Sequence, residues 1–192
     1  MADARSPLAH LDGATVVERD GVRLAENPDV GKVNLRGDAG DTAWLAAIQT
    51  AVEIDLPQAP NTSTETPPLS ALWLAPDEWM LVCAGGSEPD VVASLEGAVA
   101  EFHASVVDVT DARTVFRLSG AGARNLLAKG CALDLHPRAF GLGDVAQTML
   151  AKAAVILHQT TDDADEAGPV FDIYVSRSFA DYLWSWLTDA IG

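Results

Sequence analysis

The 192-residue chain is 48% hydrophobic, enough to bury a core as one domain or as two small fused ones. Its 28 acids against 12 bases leave a formal charge of −16, which repels phosphate backbones and anionic membranes and argues against nucleic-acid or membrane-surface partners. The opening "MADARSPLAHLDG" has no apolar signal core, no apolar run approaches bilayer-spanning length, and Cys83 and Cys131 lack CxxC spacing, so the expectation is a cytoplasmic protein with reduced thiols.

Residues 1–29 hold few apolar runs and are expected to form an N-terminal arm lying over another surface. "GKVNLRG" (31–37) alternates Val33 and Leu35 with polar neighbours, as a half-buried strand does. Asp41 then stands at a helix N-cap position, with Trp44, Leu45, Ile48 and Val52 along one helical face. The Pro-, Ser- and Thr-rich stretch 56–70 reads as an exposed linking loop. "ALWLAPDEWMLVC" (71–83) reads as two strands joined by a tight turn at Ala75-Pro76-Asp77-Glu78. Ser87 and Asp90 resemble a capping box for a helix whose apolar stripe is Val92, Leu95, Val99 and Phe102. "SVVDVT" (105–110) is a strand again, which completes the order of a ferredoxin-like unit.

The pattern then nearly recurs. "TVFRLSG" (114–120) is a strand and "AGARNLLAKG" (121–130) a short helix closed by Gly130. Residues 145–159 hold two strands turning near Lys152, 160–168 form an acidic loop, and "PVFDIYV" (169–175) is a strand. A last helix starts at a Ser178 cap, with Phe179, Tyr182, Leu183, Trp186, Leu187 and Ala190 as its buried face. The fold class is therefore α+β. Two interlocked ferredoxin-like halves, about 30–110 and 111–192, are expected to share one core in a single domain, 30–192.

The densest group of reactive side chains is "GCALDLHPRAF" (130–140), with Cys131, His136 and Arg138. A cysteine nucleophile needs a base and an electropositive setting, which His136 and Arg138 could supply. Three residue types close in sequence are weak support for such a pair, and Pro137 biases His136 toward extended backbone. Cys131 packed behind Gly130, with His136 and Arg138 forming a loop lock or an interface, is the reading preferred. The four histidines show no metal-ligand spacing, and His158 reads as a strand-end histidine making a hydrogen bond. "GAGAR" (120–124) lacks the third glycine of a dinucleotide fingerprint. No catalytic, cofactor-binding or metal-ligating residue is therefore assigned.

Charge says more. Arg113, Arg117, Arg124, Lys129 and Arg138 fall within 26 positions that hold one acid, Asp134. A basic face on an acidic body suits an anionic ligand or an acidic partner surface. Trp184 lies off the stripe of the last helix and reads as an interface anchor or a cover for a neighbouring loop. The partner-interface candidates are Arg113, Arg117, His136, Arg138 and Trp184.

"WLAPDEW", "VVDVTDARTVFRLSGAGARNLLAKGCALDLHPRAF" and "FDIYVSRSFADYLWSWL" together resemble the gamma subunit of heterotetrameric sarcosine oxidase, over roughly residues 30–190. The resemblance implies assembly with alpha, beta and delta subunits. It places FAD, FMN and NAD on the larger subunits, zinc on the smallest, a tetrahydrofolate site on the alpha subunit, and no cofactor on this chain. The implied reaction of the complex is oxidative demethylation of sarcosine to glycine, with hydrogen peroxide and formaldehyde or methylenetetrahydrofolate as products. The same stretch is distantly similar to the folate-binding aminomethyltransferases of the glycine cleavage system. Where those enzymes carry two carboxylates at the folate, this chain has Leu157 and His158. The expectation is a folate-enzyme fold kept as a non-catalytic subunit supporting assembly. The alternatives are a stand-alone folate-binding or aminomethyl-transferring module and a free regulatory or chaperone-like binding protein.

Overall fold

The computed structural model describes residues 6–11, 15–162, 164 and 168–192. It contains two compact units, one formed by Met1–Pro28 with Asp111–Gly192 and the other by Asp29–Thr110.

A 3-10 turn at Ala9–Leu11 precedes a hairpin of β1 (Val16–Arg19) and β2 (Val22–Glu26). Asp20 and Gly21 form its turn with φ of 52° and 73°, the left-handed pair that a two-residue hairpin of this twist requires. This segment is no arm. β2 pairs with β8 (Arg113–Ser119), setting Leu24 opposite Leu118 and both in the core. Leu24 and Val22 are buried, and β8 would otherwise expose an unpaired edge.

The second unit follows with β3 (Val30–Arg36), α1 (Thr42–Val52), β4 (Ser63–Thr66), β5 (Leu69–Ala75), β6 (Glu78–Ala84), α2 (Glu88–Val99) and β7 (Ser105–Asp108). Its antiparallel sheet has the order β4-β5-β6-β3-β7. Asp41 caps α1 as expected, its carboxylate accepting from the amides of Ala43 and Trp44. Trp44 and Ile48 are buried, with Leu45 and Val52 packed against the same cluster. The stretch 56–70 departs from a plain loop: β4 adds to the sheet edge, and Leu56 and Leu69 are buried. The capping box is also absent. Ser87 is the N-cap residue but its side chain makes no cap bond, and Glu88 accepts the Gly86 amide instead.

The first unit resumes at β8 and continues with α3 (Ala123–Ala128), β9 (Val145–Leu150), β10 (Ala153–Thr161), β11 (Val170–Ser176) and α4 (Ala180–Ile191). The sheet order is β1-β2-β8-β11-β10-β9, again antiparallel. Compared with the other unit, β9-β10-β11-β8-β2 repeats β4-β5-β6-β3-β7 strand for strand. The last strand of this repeat is supplied by the N-terminal segment, which is why the pattern in sequence looked one strand short. Part of the expected acidic loop, residues 163 and 165–167, lies outside the described residues.

Each unit has its own hydrophobic cluster, so the single shared core is not found. Gly130 also plays another part than helix closure. A Cβ there would sit 2.5 Å from Cη2 of Trp186, so the glycine permits close packing. Ser178 does not cap α4, because a 3-10 turn over Arg177–Phe179 precedes it and Phe179 is the N-cap residue. With that later start, the buried face is Ala180, Leu183, Trp184, Leu187 and Ile191. Phe179 and Tyr182 face outward.

Candidate functional site

Three neighbouring strands place Arg117, Asp172 and His158 in one cross-strand row: Arg117 pairs with Asp172, and Asp172 with His158. Residues in register on adjacent antiparallel strands project from the same face. Arg117 donates from Nε to Asp172 Oδ1 at 2.8 Å and from Nη2 to Oδ2 at 2.7 Å. Asp172 is buried while the Arg117 side chain is nearly half exposed, so the guanidinium carries the compensating charge in from the surface. His158 is buried, and that burial pushes its pKa down to about 4. Asp172 opposes the shift and Arg117 adds to it. At neutral pH His158 is therefore an uncharged imidazole within the sheet.

The loop after α3 is held from inside by Arg124. Its Nη1 donates to the carbonyls of Leu135 at 2.5 Å and Phe140 at 3.0 Å, and its Nη2 to Gln159 Oε1 at 2.9 Å. The guanidinium lies 5.2 Å from the Phe171 ring centroid. Leu135 and Phe140 are buried beneath it. Outside this clamp, the Asp134 carboxylate accepts the His136 amide, and His136 Nδ1 accepts the Arg138 amide at 3.2 Å. Cys131 is half-buried and bridges to Leu150, its sulfur 3.9 Å from the Thr148 hydroxyl. The sulfur and the imidazole are thus each engaged elsewhere. The dense reactive stretch forms a turn held from inside by Arg124.

The five bases of the sequence stretch do not form one face. Arg117 and Arg124 are committed as above, and Lys129 Nζ donates to the Ala190 carbonyl near the end of α4. Arg117, an interface candidate from sequence, is an exposed base already paired with the buried Asp172. Arg113 is half-buried and lines a shallow depression of about 320 Å³ with Gln147, Met149 and Ile156. His136 and Arg138 are exposed, and Arg138 makes no side-chain hydrogen bond or ion pair among the described residues. Trp184 is corrected. It is buried in the core, edge-on to Phe116 at 5.4 Å, on the same face as Ala180, Leu187 and Ile191.

Sequence pattern does not reveal two features: the pairing of the Asp within the apolar strand "FDIYV" with Arg117, and the clamp that Arg124 forms on its loop. "GAGAR" is explained by backbone approach. Gly120 has φ +103° and stands where a Cβ would meet the Gly21 carbonyl, which also accepts the Gly122 amide. Of the positions aligned with folate carboxylates, Leu157 is buried in the core and His158 is the uncharged imidazole described above.

Residues 36–192 match the family model described as the sarcosine oxidase, gamma subunit family. The chain belongs to that family. A curated member, sarcosine oxidase subunit gamma from Corynebacterium sp. (strain U-96), is 33% identical over 192 residues, covering 97% of this chain and 89% of the relative. Among solved structures, a chain of the heterotetrameric sarcosine oxidase from Corynebacterium sp. U-96, in complex with pyrrole 2-carboxylate, superposes with a TM-score of 0.84 and 32% identity. That match covers 98% of this chain and 94% of the other. The glycine cleavage system aminomethyltransferase T from Bartonella henselae gives a TM-score of 0.65 at 17% identity, over 88% of this chain and 46% of that one. This second likeness is one of fold, and it agrees with the α+β architecture of two antiparallel sheets.

Proposed function

We propose that this chain is the gamma subunit of a heterotetrameric sarcosine oxidase and supports assembly of the complex without supplying a catalytic group. The observation that carries the proposal is near full-length similarity, in sequence and fold, to a chain of such an enzyme. The partners are then alpha, beta and delta subunits in the cytoplasm. FAD, FMN, NAD, zinc and tetrahydrofolate belong to those partners, and the complex demethylates sarcosine oxidatively. The non-catalytic role is supported by the locked turn around Cys131 and His136, and by the way Arg117, Asp172 and Arg124 spend their polar atoms on each other and on the backbone.

The aminomethyltransferase-like fold favours one other reading, a folate-binding module acting alone. The residues do not fit that role: a core leucine and a buried neutral imidazole cannot replace carboxylates at a folate amine. Titration calorimetry with tetrahydrofolate separates the two. The isolated chain is expected to show weak or no heat of binding, and one micromolar site would favour the folate module. Among the described residues no helix is long and apolar enough to cross a membrane.

A further inference from the structure

α4 has two apolar faces, and only one is used by its own unit. Ala180, Leu183, Trp184, Leu187 and Ile191 are buried in the core. On the outer side Phe179 just before the helix is 43% exposed, Tyr182 is 37% exposed and Trp186 is half-buried. These aromatics follow at i, i+3 and i+7, so they form one stripe along the helix.

The stripe is held in place. The Phe179 and Tyr182 rings meet edge to face at 6.4 Å. The Tyr182 hydroxyl accepts the Lys152 amide at 3.2 Å, from the turn between β9 and β10. Trp186 lies against Gly130, where a Cβ would be 2.5 Å from the indole. Fixed aromatic side chains lose little rotamer freedom on binding, and Trp and Tyr dominate the energetics of protein interfaces. Beside the stripe runs a shallow groove of about 650 Å³ bordered by Asp181, Ser185 and Asp189. Asp181 is 3.1 Å from His10 with both side chains exposed, and Asp189 has no ion-pair partner among the described residues.

We infer that this outer face of α4 is a docking surface for an apolar segment, carrying Lys or Arg, of one of the larger partner subunits. The inference rests on the gamma-subunit reading. The acidic border calls for a basic partner. It also disfavours a second copy of this chain, because a two-fold contact through the stripe would bring Asp181 and Asp189 of both copies together between bodies of charge −16.

The test is co-expression of the full chain with the larger subunits, followed by quantitative pull-down. Phe179→Ser with Tyr182→Ser should lower retention by at least about tenfold, as loss of central aromatic anchors does. Asp189→Lys is the second variant, chosen because a base in the last turn suits the helix dipole and leaves the fold intact. It should slow association several-fold at low salt and lessen the salt dependence measurably. Retention of both variants at the wild-type level, with wild type itself bound, overturns the docking surface alone. Failure of wild type to bind the larger subunits overturns the gamma-subunit reading and this inference with it. A free chain that dimerises, and becomes monomeric in the double Ser variant, overturns it too by making a second copy the occupant.

Discussion

Arg117 on β8 and Asp172 on β11 face each other across the sheet and close two hydrogen bonds of 2.8 and 2.7 Å. A base that reads in sequence as part of an outward patch thus neutralises an inward carboxylate.

Removing Arg117 leaves Asp172 buried with its charge uncompensated. Arg117→Ala should destabilise the free chain by about 2 kcal/mol, below the full cost of breaking a buried pair because the guanidinium is nearly half exposed. Asp172→Ala with Arg117→Ala should cost less than the two single changes added together. Urea denaturation of the three variants measures both effects. Equal stability of Arg117→Ala and wild type would show that water already satisfies Asp172.

The His158 imidazole makes stability depend on pH. Its folded pKa of about 4 lies below the unfolded value near 6.5, so between these limits the unfolded chain binds the extra proton. The stabilisation is complete above about pH 6.5 and is lost as pH falls toward 4, by on the order of 3 kcal/mol. Asp172 and Arg117 are the charged neighbours that act on it, in opposite senses. His158→Gln should flatten the stability curve over this window relative to wild type, leaving the slope due to carboxylates. Parallel curves for the two proteins would mean that His158 is not held neutral.

The Arg124 clamp predicts a local effect. Arg124→Met keeps the stem but loses three hydrogen bonds and the contact with Phe171, for a cost of about 2–4 kcal/mol. Hydrogen exchange should rise first at the amides of Ala139 and Phe140, which bond to the His136 carbonyl. Uniform acceleration across the whole unit would instead make Arg124 a global core residue.

The strands were legible where alternation and turn chemistry agreed, as in "GKVNLRG" and the Pro76-Asp77 turn. The Asp20-Gly21 turn is an equally strong hairpin signal, but its flanking strands are short and β1 is largely exposed, so alternation does not support it. The identity of the last strand of the repeat in the first unit could not come from local pattern, since β2 meets β8 across some ninety positions of chain. Periodicity gave α4 two overlapping apolar stripes sharing Leu183 and Leu187, and the one buried is that of Ala180, Trp184 and Ile191. Within the candidate site, charge clustering grouped bases that the fold separates, because it could not show their partners. Asp172 and Gln159 lie far away in sequence.

Arg138 is an exposed base with no side-chain partner among the described residues. Its loop is already ordered by Arg124 and by the His136 contact with its amide, so little further ordering is needed on binding. Arg138→Ala should leave the melting temperature of the free chain unchanged and weaken association with the larger subunits, by about 2–5 kcal/mol if the charge is desolvated and paired there. Reduced melting temperature with unchanged assembly would make Arg138 an internal lock. No change in either would make it a solvated surface charge.

The most direct measurement is gel filtration with absorption spectra of the chain expressed alone and beside the larger subunits of a sarcosine oxidase. A gamma subunit without cofactors of its own will elute alone as a colourless protein, and in co-expression will move into a larger species bearing flavin absorption. A stoichiometric flavin spectrum on the isolated chain, or its failure to enter the larger species, would contradict this.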